Sequence, residues 1–142
     1  MYKKVFLDAN IFIDANDSSR LCFKDSSKIL THLANKEAKL FTSCDLITTI
    51  YYILSKNSKD SALSAIENIN KFCNIIDFSN KEVKKSCALM RKNNKYSDLE
   101  DTLQYILAKK ENCDLIVSND KNFYSETIEL LSSQEFCKKH SL

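Results

Sequence analysis

Short apolar runs punctuate this chain, and each ends on a polar residue. Val5-Phe6-Leu7 stops at Asp8, Leu40-Phe41 at Thr42, Ile75-Ile76 at Asp77, and Leu115-Ile116-Val117 at Ser118, with Asn119-Asp120 behind it. Runs this short, bounded by polar residues, read as buried strands of a parallel sheet. The predicted strands are Val5–Asp8, Lys39–Thr42, Asn74–Asp77 and Asp114–Ser118, with a fifth, Ile128–Leu131, at the sheet edge. Between them the apolar residues change to helical spacing. Ile29, Leu30 and Leu33 mark a helix over Phe23–Asn35; a strongly apolar one follows over Leu46–Lys56; Leu63, Ile66 and Ile69 share a face in Ser61–Phe72. Glu82–Lys92 is the next helix, and Ser97-Asp98-Leu99-Glu100 fits an S-x-x-E capping box that opens a further one, running to Lys110. Asn10 is the expected cap of a short helix beginning at Ile11, Asp14 and Asp17 are expected in solvent, and Ser133–Lys139 is the expected terminal helix. Strands alternating with helices imply an α/β protein whose parallel sheet of four to five strands is covered on both faces.

The 142 residues suit one domain, residues 1–142, with no linker, repeat or low-complexity tract. The chain has no Gly and no Pro, so turns that need a positive φ are expected to use Asn, Asp or Lys, and every glycine-rich phosphate loop is excluded. A net charge of +2 gives no global field for nucleic acid. The amino-terminal residues do not read as a secretion signal, and no run approaches the roughly 20 apolar residues of a membrane helix. The six scattered cysteines, with no C-x-x-C pair, are expected as reduced and mostly buried thiols in a cytoplasmic protein. His32 reads as a helix-surface residue and His140 as part of a frayed end; neither is assigned chemistry.

The chemistry lies in the acids. Asp8 and Asp120 each follow an apolar strand, at the edge where open α/β sheets place their ligand crevice. Asp98 and Asp101 are three apart on one helix and share a face, which Tyr105 continues and from which Glu100 points away. Two like charges 4 Å apart repel by about 4 kcal/mol at a protein surface. A divalent cation would relieve that, and an all-oxygen set favours Mg²⁺ or Mn²⁺. Taken singly, each acid has a plain alternative: Asp98 and Glu100 as capping and dipole residues, Asp101 as a dipole residue, Asp120 as turn chemistry.

The joint pattern resembles the PIN domain, the nuclease fold of toxins in bacterial VapBC-type toxin–antitoxin pairs. Val5-Phe6-Leu7-Asp8-Ala9-Asn10-Ile11 is similar to the family's opening strand and first acid; Ser97 to Tyr105 resembles its third acidic motif, with Asp101 at the acidic position; Cys113 to Asp120 followed by Phe123 resembles the last, with Asp120 as its acid. The resemblance implies a three-layer, Rossmann-like α/β/α sandwich, Mg²⁺ or Mn²⁺ dependence, RNA cleavage, an antitoxin partner and a possible homodimer. On that reading Asp8, Asp101 and Asp120 hold the metal with Asp98 nearby, and Asn10 orients Asp8 or a metal water. Lys92, Lys95 and Lys121 would contact substrate phosphates. One position departs from the family pattern. The second acid falls on Thr49, which offers a neutral oxygen and no charge. Asp45, one turn earlier on the same helical face, either substitutes for it or only caps its helix. The alternative implied by Thr49 is a degenerate PIN module that binds RNA or a protein without cutting.

Overall fold

In a computed structural model describing residues 1–142, twelve elements follow one another. They are β1 (Lys4–Leu7), α1 (Ala9–Ala15), α2 (Phe23–Asn35), β2 (Lys39–Ser43), α3 (Cys44–Leu54), α4 (Lys59–Phe72), β3 (Cys73–Ile76), α5 (Asn80–Lys92), α6 (Leu99–Lys110), β4 (Leu115–Val117), β5 (Glu129–Leu131) and α7 (Ser133–His140). All strand pairings are parallel, in the order β3-β2-β1-β4-β5. The fifth strand is therefore part of the sheet, at its edge as expected.

That order fixes the layers. Chain progress from β1 through β2 to β3 runs one way across the sheet; β4 then lies on the other side of β1. Right-handed crossovers put helices from the two halves on opposite faces. The contacts agree: α1 packs on α2 and α3, α3 on α4 and α2 on α7, whereas α5 and α6 pack on each other and α6 on β2. The three central strands β1, β2 and β4 are buried almost throughout, with Val5, Phe6, Leu7, Leu115, Ile116 and Val117 wholly inaccessible. Such two-sided burial is why their sequences read as continuous apolar runs and not as alternations.

The order reverses between β1 and β4, so the carboxyl ends of these two strands flank the topological switch point. Their register is Val5 to Leu115, Phe6 to Ile116 and Leu7 to Val117, and the Asp8 amide continues the ladder onto the Val117 carbonyl at 3.0 Å. Asp8 and Ser118 thus leave the sheet side by side.

Local details depart from expectation for identifiable reasons. The cap of α1 is Asp8, whose carboxylate accepts from the Ala9 amide; Asn10 lies inside the helix, because β1 passes into α1 with a single residue between them. The cap of α6 is Asp98, not Ser97: its carboxylate accepts the Asp101 amide at 3.0 Å, and Ser97 is exposed. The positive-φ residues are Glu37, Asn112 and Ser141, so only one of the three is of an expected type. Cys73, Cys113 and Cys137 are buried, but Cys44 and Cys87 are exposed and Cys22 intermediate; all six are free thiols. His140 is not frayed: it lies in α7, its ring 4.3 Å from Phe136 and 5.3 Å from His32. No helix is long and apolar enough to cross a membrane.

The last helix carries a full capping box. The Ser132 hydroxyl takes the Glu135 amide, and the Glu135 carboxylate takes the Ser132 amide at 2.8 Å. Ser132→Ala is expected to cost about 1 kcal/mol, read as a lower urea midpoint at unchanged slope.

Candidate active site

The three acids expected to meet, Asp8, Asp101 and Asp120, lie near one another at the carboxyl edge of the sheet. Asp8 is 5% exposed, at the end of β1. Its Oδ1 accepts the Ala9 amide at 2.7 Å and its Oδ2 accepts the Ser118 hydroxyl at 2.7 Å. Ser118 in turn accepts the Asp120 amide at 3.1 Å, so one hydroxyl ties the first acid to the backbone of the last. Asp120 is half-buried, and its own carboxylate accepts the Asn122 amide in the turn after β4. Asp101 comes in from α6. It is 7% exposed, and its Oδ2 is buried with no hydrogen-bond partner. Asp98 stands exposed at the rim as the cap of that helix.

The electrostatics match this crowding. Burial pushes the Asp101 carboxyl up to about 8, and Asp120, Asp8 and Asp98 push in the same direction. Asp8 is also raised, chiefly by burial, against the lowering effect of its bonds from Ser118 and Ala9. Gln104, one turn along α6 and fully buried, faces Asp8, and its side-chain amide favours the charged carboxylate as the Ser118 hydroxyl does.

Glu100 is exposed where Asp101 is buried, as expected of a residue off the Asp101 face, yet its carboxyl feels the same acids. With Asp98 as the cap, Glu100 is the second residue of α6. Its carboxyl is raised by burial and then by Asp45, Asp8, Asp98 and Asp120, and it makes no ion pair. Asp45 stands in the first turn of α3, where the Ser43 hydroxyl donates to it. Thr49 is half-buried one turn further along α3 and makes no side-chain hydrogen bond. None of Asp8, Asp45, Asp98, Glu100, Asp101 or Asp120 takes part in the molecule's three ion pairs.

The donor set fits a hard divalent cation: it is all oxygen, net strongly negative, and includes one buried carboxylate oxygen without a partner. As the side chains stand, no three acids are drawn onto one point tightly enough to hold an ion.

The other expected residues divide. Asn10 makes no hydrogen bond to Asp8; Ser118 orients that acid instead. Lys92, Lys95 and Lys121 are all exposed. Lys121 directly follows Asp120 in the turn, and Lys95 lies 5.5 Å above the Tyr124 ring. Asp14, expected in solvent, is 5% exposed and paired with Arg20. Ser118, Gln104 and Arg20 were not signalled by the acid pattern; the polar residue following the β4 run was the one available sign of Ser118.

Comparison with known proteins agrees with this geometry. The family profile described as the PIN domain matches residues 4–122. The chain is 48% identical over 137 residues to "Ribonuclease VapC1" of Aquifex aeolicus (strain VF5), covering 96% of this chain and 95% of that one. Among solved structures, VapBC2 from Rickettsia felis bound to a DNA fragment from the promoter is similar with a TM-score of 0.68 at 21% identity, covering 91% of this chain and 98% of that one. Mycobacterium tuberculosis VapC20, described as a sarcin-ricin loop cleaving toxin, gives a TM-score of 0.69 at 11% identity, over 84% of this chain and 92% of that one. At those identities the two structures attest the fold.

Proposed function

Because this chain belongs to the PIN domain family, we propose that it is a divalent-metal-dependent endoribonuclease acting as the toxin of a toxin–antitoxin pair. The observation that carries the reading is the gathering of Asp8, Asp101 and Asp120 at the switch point of the sheet, with the Asp101 Oδ2 buried and unpaired. The relative named as a ribonuclease supports the activity.

Asp8, Asp101 and Asp120 would hold Mg²⁺ or Mn²⁺, with Asp98 at the rim. When bound, such an ion neutralises the carboxylates, polarises a phosphoryl oxygen and acidifies a water. The protein's part is positioning. Ser118 and the Ala9 amide fix both oxygens of Asp8, and the Ser118 link to the Asp120 backbone holds the two acids in register. The α6 amino terminus adds a positive dipole end beside Asp101. Glu100 supplies the negative charge that Thr49 lacks, from the opposite side of the crevice to α3. Lys121 and Lys95 lie at the edges, where they can meet substrate phosphates.

An antitoxin would bind away from this site. Phe12, Leu30, Ala65, Ile69 and Phe72 line an open apolar groove of about 510 Å³ between α1, α2 and α4. It would suit an apolar segment of an antitoxin, consistent with the toxin–antitoxin complexes among similar structures.

The test is cleavage of a structured RNA pool with Mn²⁺, with Mg²⁺ and with EDTA, alongside Asp8→Asn. Metal-dependent cleavage that Asp8→Asn abolishes is the expected result. Absence of cleavage in every metal, from folded protein, would favour the second reading, motivated by Thr49: a module that binds RNA or a partner without cutting.

A further inference from the structure

Beside the acids lies a cleft of about 290 Å³ bordered by Asn10, Asp14, Arg20, Leu21 and Asn119. Asn10 is two residues past Asp8 and Asn119 directly precedes Asp120, so the cleft opens against the flank of the active site. Its centre is an ion pair. Asp14, on α1 and 5% exposed, accepts the Arg20 Nε at 2.6 Å on Oδ1. Its Oδ2 accepts the Asn119 Nδ2 at 3.3 Å, and the Asn119 Oδ1 accepts the Ser133 amide at 2.8 Å. Asp14 is thereby held by Arg20 and Asn119, and Asn119 in turn by the start of α7.

Arg20 is not spent by this pairing. A guanidinium has five N–H donors in a planar fork. Only Nε donates to Asp14, and the terminal nitrogens make no hydrogen bond within the protein. Four donors therefore remain, on a side chain that is 35% exposed and fixed in direction by a buried acid. A residue present only to neutralise Asp14 has no need to keep that edge free. The candidate lysines are exposed and their ammonium groups make no hydrogen bond or ion pair, whereas the orientation of Arg20 is set in advance by Asp14. Leu21, fully exposed, forms an apolar lip beside it. The fork matches two oxygens of a phosphate, and pre-organisation lowers the entropy lost on binding.

We propose that Arg20, held edge-on by Asp14, anchors a backbone phosphate of the RNA adjacent to the one cleaved at the acids. The inference rests on the nuclease reading above and adds the group that counters the repulsion between a polyanionic substrate and an acidic crevice.

The experiment compares Arg20→Lys and the double variant Asp14→Asn/Arg20→Gln, each in the cleavage-deficient Asp8→Asn background, by binding to a 5′-labelled single-stranded RNA over a salt series. Mn²⁺ affinity and thermal midpoint are measured with Asp8 intact. Arg20→Lys keeps a charge against Asp14; the double variant removes both charges and leaves no buried acid unpaired. The expected result in both is RNA affinity lower by about 10- to 100-fold. In the double variant the slope of log affinity against log salt also falls by about 0.7, the value of one single-strand phosphate contact. Mn²⁺ affinity stays at the wild-type value. Unchanged RNA affinity and slope in folded variants, with Mn²⁺ binding intact, would overturn the anchor and leave the nuclease reading standing. Wild-type protein that takes up no Mn²⁺ and cleaves no RNA would overturn that reading, and the anchor with it.

Discussion

Asp101→Asn is expected to reduce Mn²⁺-dependent RNA cleavage by at least about a hundredfold and, in the same molecule, to stabilise the metal-free fold at pH 8. Both effects follow from one carboxyl. Loss of a group that merely orients a metal ligand costs 10- to 100-fold, and Asp101 would be a ligand itself. The stability effect has the opposite sign because burial raises its carboxyl to about 8 in the fold, against about 3.9 in an unfolded chain. Between those values the folded state holds a proton that the unfolded state has released. The metal-free protein is therefore most stable below about pH 4 as far as this group is concerned, and loses that stability as pH rises through about 8. At its steepest a single such group contributes about 1.4 kcal/mol per pH unit. The raised Asp8 carboxyl acts in the same direction. Urea titrations in EDTA at several pH values should show this decline in the wild type and a flatter profile in Asp101→Asn. Adding Mn²⁺ at pH 8 should recover the wild type through binding to the folded state, and should leave Asp101→Asn nearly unmoved. A variant that keeps its cleavage rate, or a wild type whose metal-free stability is level across this range, would remove Asp101 from the site.

What could be read ahead of the structure follows burial. β1, β2 and β4 are covered on both faces, so their sequences are unbroken apolar runs whose ends mark the carboxyl edge of the sheet, and Asp8 and Asp120 were visible there. The helices were visible from their spacing, with α2 matching its predicted span, Phe23–Asn35. Single-residue choices were not. Ser97 and Asp98 are both good caps, each with an acid three residues on. The decision comes from tertiary packing: buried Tyr96, against Tyr105 and Tyr124, anchors the chain just before the helix and lets Asp98 make the first turn. The burial of Asp14 was illegible for a similar reason, since its partner Arg20 and its second donor Asn119 come from a loop and from the far side of the sheet switch. The resemblance puts the second acidic position at Thr49, and the local pattern of α3 offers only Asp45 as a substitute.

Glu100→Gln is the change expected to show where that substitute lies. The six acids around the crevice have no lysine or arginine paired with them, so each charge there counts toward the attraction of a divalent ion. Asp45 is the nearer candidate in sequence, yet it is engaged by the Ser43 hydroxyl at the start of its own helix. Glu100 has no hydrogen bond or ion pair and faces Asp45 and Asp8. Replacing its charge should weaken Mn²⁺ binding by about tenfold or more, the magnitude found for groups that support a metal from just outside its ligands. Thr49→Glu in the Glu100→Gln background should recover most of the loss, because it returns one negative charge to the crevice from the α3 side. Calorimetric titration with Mn²⁺ reads both without reliance on turnover, and Asp45→Asn serves as the parallel variant. Mn²⁺ affinity that falls in Asp45→Asn but not in Glu100→Gln would assign the compensation to α3 after all. If neither changes the affinity and Asp8→Asn abolishes it, Asp8, Asp101 and Asp120 suffice, and the absence of an acid at Thr49 costs this protein nothing in metal binding.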